Sequence, residues 1–347
     1  VVHAASNTGN IDQFGTGGST TVSGLWQPLR ELSATMREML KTEAAKKLGV
    51  EVAEVTASAG VISAGGKSLT YGETVEGVEE WEVPDVPPLK DPISYKHVGK
   101  PVPRIDVEDK VYGTPMFGMD AAMPDMLYGA VARSSKIAAR YAGADVSAAR
   151  DMPGVVEIIE EDDFVGVVAT SMVEAENAKN AIKVNWETDR NWQTSDIEEM
   201  IKVGQGDPVV IQKEGKTDKL INNAENSENE RYITSEYWSP IGAHAQLEPN
   251  GAVAYVEGDK ATIMISTQVV SITRGEVAER LGIDEENVNI IPTFLGGGFG
   301  RRLHTPHAVQ AAVMSKAVGK PVKAFFSRKE EFQNDTFRPP THNVLKA

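Results

Sequence analysis

The chain has 347 residues, 41% of them hydrophobic and 24% charged, so it is long enough for two or three domains and has the composition of a folded globular protein. Its 50 acidic against 35 basic side chains leave a net charge of −15, which argues against nucleic acid as a partner. With no cysteine it can hold no disulfide, thiolate zinc site or iron–sulfur cluster of its own, and no apolar run approaches the roughly 20 residues of a membrane helix.

In chain order, GTGGSTT (Gly15 to Thr21) leads into a helical pattern marked by Trp26, Leu29, Leu32, Met36, Met39, Leu40 and Leu48, with Gly49 as its stop. EVTASAGVISAGGKSLTYGE then alternates around two glycine turns and predicts a short β-hairpin ending near Tyr71. Residues 86–110 are proline-rich and read as an extended linker, which makes 1–85 the first structural portion. From 111 to 190, the strand-like runs MLYGAVAR, VVEIIEE, FVGVVAT and KVNWE surround a helix at Val173 to Ile182, the pattern of a small α/β domain. Residues 191–230 are polar, a connector with DIEEMIK as its one expected helix.

The portion 231–347 carries the strongest local signals. GAVAYVEGDKATIMIST predicts a hairpin turning at Gly258 and Asp259, followed by a helix from Thr273 to Leu281 closed by Gly282. A strand at Val288 to Leu295, the run GGGFGRR (Gly296 to Arg302), a helix from His304 to Val318 and a strand at Val322 to Ser327 then form a βαβ-like unit. The whole chain is therefore expected to be α/β.

Glycines between a strand and a helix let backbone N–H groups approach a ligand, and the helix N-terminus favours an anion. Such a cluster can equally be a tight turn without a ligand. It is no nucleotide loop: a P-loop needs a Lys-Ser/Thr pair, and GxGxxG would need glycine where Arg301 stands. His304 and His307 have a spacing that could serve zinc only with a third ligand, so capping or surface roles are the expectation. Trp26, Trp238 and the methionines fit core packing as well as a substrate funnel.

GGGFGRR resembles the glycine loop of the xanthine-oxidase-type molybdenum hydroxylases, in the form typical of the isoquinoline 1-oxidoreductase and aldehyde dehydrogenase group. HAQLEP (His244 to Pro249), ISTQ (Ile265 to Gln268) and KPVK…SRKEEF (Lys320 to Phe332) follow that family's order, and so does GTGGST with SGLWQPLRE. GTGGST precedes the GGGFG loop here, whereas in xanthine oxidases proper its counterpart follows. The resemblance implies molybdopterin-binding-domain portions, 1–85 and 231–347, flanking a hammerhead α/β domain at 111–190. It implies hydroxylation of an N-heterocycle or aldehyde with water as oxygen donor, and a molybdenum–molybdopterin cofactor whose forms include the cytosine dinucleotide.

Carried over by position, the cofactor contacts are Gly15, Thr16, Gly17, Gly18 and Ser19 on one side and Gly297, Gly298, Phe299, Gly300, Arg301 and Arg302 on the other. The two arginines are expected either to neutralise a dinucleotide pyrophosphate or to form solvent-facing ion pairs. Glu248 is expected to be architectural, and Gly242 stands where xanthine oxidases place a glutamine. The family's glutamate base, in a Gly-x-Gly-Glu segment, lies C-terminal to these residues, and the MGQG segment lies upstream of them. The chain by itself is therefore expected to be an inactive portion of a longer subunit. Its expected partners are the remaining portion of that subunit, a small subunit with [2Fe-2S] clusters and a cytochrome c, in a periplasmic or membrane-associated setting. The competing reading is a cofactor-free scaffold or binding module derived from the family.

Overall fold

The computed structural model describes residues 15–229 and 231–347. They form two compact units, Thr16–Thr114 and, with Gly15, Pro115–Ala347. No helix among the described residues is long and apolar enough to cross a membrane.

In the smaller unit, helix α1 (Thr21–Leu48) ends where Gly49 adopts φ 70°, the left-handed cap that a side chain disfavours. Its C-terminal half buries Ala44 and Ala45 against Val55, Ile62 and Ala64. Its N-terminal half leaves Trp26, Leu29, Leu32 and Met36 exposed. The expected hairpin is a three-stranded antiparallel meander of β1 (Thr56–Ser58), β2 (Val61–Ala64) and β3 (Lys67–Thr70), because each glycine turn reverses the chain once. A Thr70–Glu73 capping box starts α2 (Tyr71–Val75). The proline-rich stretch carries a single 3-10 turn at Pro92–Ser94 and leads into a short α-helix, α3 (Val107–Tyr112).

The larger unit runs β4 (Leu127–Val131), β5 (Arg140–Asp145), α4 (Ser147–Arg150), β6 (Val155–Glu160), β7 (Val165–Ala169), α5 (Met172–Ala181), β8 (Lys183–Glu187), α6 (Thr194–Ile201) and α7 (Thr217–Glu225). It continues with β9 (Thr234–Ser239), β10 (Gly251–Glu257), β11 (Lys260–Ile265), α8 (Val270–Leu281), β12 (Val288–Pro292), α9 (Pro306–Val318), β13 (Val322–Phe325), α10 (Arg328–Gln333) and β14 (Thr341–Lys346). The connector thus holds a second helix, α7, beyond the one read from DIEEMIK.

Seven strands form one sheet in the order β12-β11-β10-β13-β4-β7-β6. The expected boundary between 111–190 and 231–347 does not divide it: β13 pairs in parallel with β4, Val322 opposite Leu127. The unit β12–α9–β13 is a split βαβ, since the hairpin β10–β11 sits between its two strands. Its helix lies on the sheet through fully buried Ala308, Ala311, Ala312 and Met314, and the three alanines permit close approach to Ala252, Ala254 and Ala324.

Strand directions decide where chemistry can gather. β11 is parallel to β12 and antiparallel to β10, which is antiparallel to β13. Segments leaving β11, β12 and β13, and the segment entering β10, therefore all emerge at the same end of the sheet. In open α/β sheets that carboxyl end is where ligands bind.

Candidate functional site at the carboxyl end of the sheet

Four segments meet there: 242–250 before β10, 266–269 after β11, 293–305 after β12 and 326–335 after β13. The glycine run lies in the third, and the other three grip it. Glu248 makes the tightest hold. One carboxylate oxygen accepts from the Met119 N–H at 2.7 Å, the other from the Gly296 N–H at 2.8 Å and Arg302 Nη2 at 2.7 Å. Both oxygens are committed, which leaves Glu248 architectural.

Arg301 and Arg302 are not solvent-facing: both side chains are at most 1% exposed. That corrects the expectation of surface ion pairs. Arg302 donates to the Gly297 carbonyl at 2.7 Å, the Glu248 carbonyl at 2.9 Å, Asn250 Oδ1 at 3.2 Å and the Ser266 hydroxyl. Arg301 lies 3.4 Å from both Glu331 and Asp335. Burial pulls Arg302 below the usual arginine range, with Glu248 and Glu331 acting in the opposite sense. Two guanidiniums this deep are tolerated because carboxylates from two other segments face them.

The partner carboxylates belong to SRKEEF. Ser327 starts α10 in a capping box with Glu330, whose other oxygen takes Lys179 at 2.9 Å and Arg133 at 3.3 Å. Burial pushes Glu330 up, but Arg133 and the Lys179 hydrogen bond outweigh it and hold the carboxyl below its ordinary range. Glu331 accepts from the Asn250 N–H at 2.8 Å and from the Gln246 amide. His307, expected on the surface or at a cap, is fully buried with both ring nitrogens unpartnered. Burial first, then Arg301, Arg302 and Arg133, drive its pKa well below 6.5. Among the described residues no group of three metal-ligating side chains converges.

The tip of the loop is different. Gly296 N–H and Gly300 N–H are bonded, to Glu248 and to Gln268 Oε1 at 3.1 Å. The amides of Gly297, Gly298 and Phe299, three in succession, have no partner among the described residues. Phe299 is exposed and held at φ 58°, a strained conformation for a side chain of its size. A Cβ on Gly298 would lie 2.8 Å from Gln268 Oε1, so the loop rests directly on that side chain.

Gly15 joins the same place. Its φ is 65°, and a Cβ there would meet Val269 Cγ1 at 2.6 Å and the Gln268 carbonyl at 3.0 Å. The structure thus brings Gly15 and the loop tip onto one residue, Gln268. Thr16 to Ser19 belong to the smaller unit, where they are exposed, Gly18 and Ser19 have positive φ, and Gly17 O takes the Thr20 hydroxyl at 3.0 Å. Gly242 pairs by backbone with Arg338.

Three contributors carry no sequence-level assignment: Gln268, His244 and Asp335. The first two lie in ISTQ and HAQLEP, segments whose order could have flagged them. For Asp335 no local signal exists.

A braced loop with free amides at the carboxyl end of a sheet is an arrangement suited to binding an anionic ligand. Residues 203–347 match the molybdopterin cofactor-binding domain family. The chain is 30% identical to a membrane-bound aldehyde dehydrogenase (pyrroloquinoline-quinone) of Gluconacetobacter polyoxogenes, over 94% of this chain and 44% of that protein. It is 27% identical to the isoquinoline 1-oxidoreductase subunit beta of Brevundimonas diminuta, over 93% of this chain and 47% of that one. Quinoline 2-oxidoreductase from Pseudomonas putida 86 shares the fold, with TM-score 0.59 and 21% identity over 72% of this chain and 37% of that chain. Residues 203–347 thus belong to the molybdopterin cofactor-binding domain family, and the chain as a whole is similar to large subunits of the xanthine oxidase and aldehyde oxidoreductase type, spanning less than half the length of these relatives.

Proposed function

We propose that the chain forms part of the cofactor site of an enzyme that oxidises an N-heterocycle or an aldehyde with water as oxygen donor and passes two electrons to a separate [2Fe-2S] subunit, with a cytochrome c beyond it. The observation that carries this reading is the tip at 297–299: three adjacent unpartnered amides on a strained backbone that buried ion pairs hold in place. Such a nest suits acceptor oxygens of a molybdenum–molybdopterin cofactor, in either its simple or its cytosine dinucleotide form. Bound molybdenum supplies an activated water as oxygen donor and takes up the electron pair.

This chain's share is binding and orientation. Gly297, Gly298, Phe299 and Gly300 present the amides, and Gly15 fixes the neighbouring strand exit. Arg301 and Arg302 act from beneath, as braces of the loop. Thr16, Gly17, Gly18 and Ser19 are proposed as further cofactor contacts on the resemblance of GTGGST, and residues 111–190 as the hammerhead portion. Glu248 is committed on both oxygens, and the resemblance implies that the general base is a glutamate in a Gly-x-Gly-Glu segment C-terminal to these residues.

The test is full-length protein made with its maturation machinery. Molybdenum close to one per chain, a fluorescent oxidised pterin, and oxygen-18 from labelled water in the product are expected. Protein repeatedly free of molybdenum, or carrying pyrroloquinoline quinone in its place, would overturn the reading in favour of a cofactor-free scaffold or a different redox group.

A further inference from the structure

Beside the glycine loop stands a histidine that the loop's own bracing does not use. His244 is 9% exposed at its side chain, and its Nδ1 lies 2.8 Å from Asp335 Oδ1. The other carboxylate oxygen of Asp335 accepts the His244 backbone N–H. Arg301 Nε lies 3.4 Å from the same Oδ1, and the Asp335 side chain is 1% exposed. A carboxyl oxygen held at Nδ1 selects, in the neutral ring, the tautomer with hydrogen on that nitrogen. Nε2 is then a bare acceptor.

Nε2 has no hydrogen-bond partner among the described residues, and unlike both nitrogens of His307 it is not sealed from solvent. It points at the loop: a Cβ added to Gly300 would sit 3.2 Å from it. Strain marks the spot as well, since Ala245, the next residue, has φ 50°. Holding a left-handed alanine here has a cost that simple packing of an imidazole does not require.

We propose that His244 is a positioning residue for the ligand of the glycine loop: Asp335 fixes its tautomer, and Nε2 accepts a hydrogen bond from a ring N–H or amino group. This deepens the reading above and rests on it. The site would read a donor–acceptor pattern, with amides 297–299 facing acceptor oxygens and His244 facing a donor. A flat heterocycle bearing both, such as a reduced pterin, satisfies it. A bare oxyanion does not.

Two measurements separate this proposal from the reading it rests on. In full-length protein with nitrogen-15 histidine, the His244 ring is expected to show hydrogen on Nδ1 and a pyridine-type Nε2, whether or not cofactor is loaded; hydrogen on Nε2 would overturn the proposal by itself. The second compares His244→Asn, which keeps a donor toward Asp335 but lacks the distal acceptor, with His244→Gln, whose amide oxygen reaches the Nε2 position. Pterin and molybdenum content are expected to fall about tenfold or more in H244N and to stay within about threefold of the parent in H244Q, with all three melting alike when cofactor-free. Full loading of H244N, or equal loss in both variants, would overturn it. A parent protein without pterin would instead strike the functional reading, and the tautomer measurement would still decide whether Asp335 sets the imidazole.

Discussion

The two glycine-rich segments look alike in sequence and are built in opposite ways. In GTGGST the residues after Gly15, Thr16 to Thr20, are exposed, and a Cβ on Gly17 would meet nothing within 4 Å. GGGFGRR is clamped from below by two buried arginines and Glu248, and a Cβ on Gly296 would meet Glu248 Cβ at 2.4 Å. The first half of α1 likewise exposes Val22, Leu25, Trp26 and Leu29 around a cavity of about 1040 Å³ within its own unit. Glycine content alone therefore does not define a preorganised site. Preorganisation comes from the charges behind the loop.

The largest effect is expected from Glu248→Ala, which strands the fully buried Arg302. A loss of about 3–5 kcal/mol in unfolding free energy should appear in denaturant titration, and an unchanged midpoint would mean the clamp is dispensable. Gly296→Ala should cost about 1–3 kcal/mol through overpacking against Glu248. His307 adds a pH signature. Unfolded, it takes a proton near pH 6.5; folded, it stays neutral far below that. The folded state then binds fewer protons, so stability should fall as pH drops under about 6.5, by about 1.4 kcal/mol per unit. His307→Leu should remove that slope. At the bottom of the scale, Gly17→Ala should change stability by no more than about 0.5 kcal/mol, and a larger effect would erase the distinction between the two segments.

Local pattern made much of the larger unit legible. The hairpin β10–β11, helices α8 and α9 with their closing glycines, and the strands on either side of GGGFGRR all follow from periodicity and turn chemistry. What stayed hidden depends on partners distant in sequence. The β13–β4 pairing joins residues nearly 200 positions apart, and nothing in VKAF announces it. Adjacent arginines read either as pyrophosphate partners or as surface ion pairs because their counter-ions, Glu248, Glu331 and Asp335, come from segments before and after them. His307 read as a surface residue for the same reason, since burial is set by the sheet beneath α9. Family order pointed to the glycine loop, and the three-dimensional contacts show what each of its residues touches.

The central claim is that the tip of GGGFGRR holds the cofactor while the arginines hold the tip. The most direct measurement is the molybdenum-to-chain ratio of full-length protein and its Gly297→Val variant, purified from the same maturation-competent host. Gly297 has φ 102° and a Cβ there would lie 3.1 Å from Gln246 Cβ, so valine should distort the tip. A ratio near one is expected for the parent and near zero for the folded variant; equal molybdenum in both would contradict the claim.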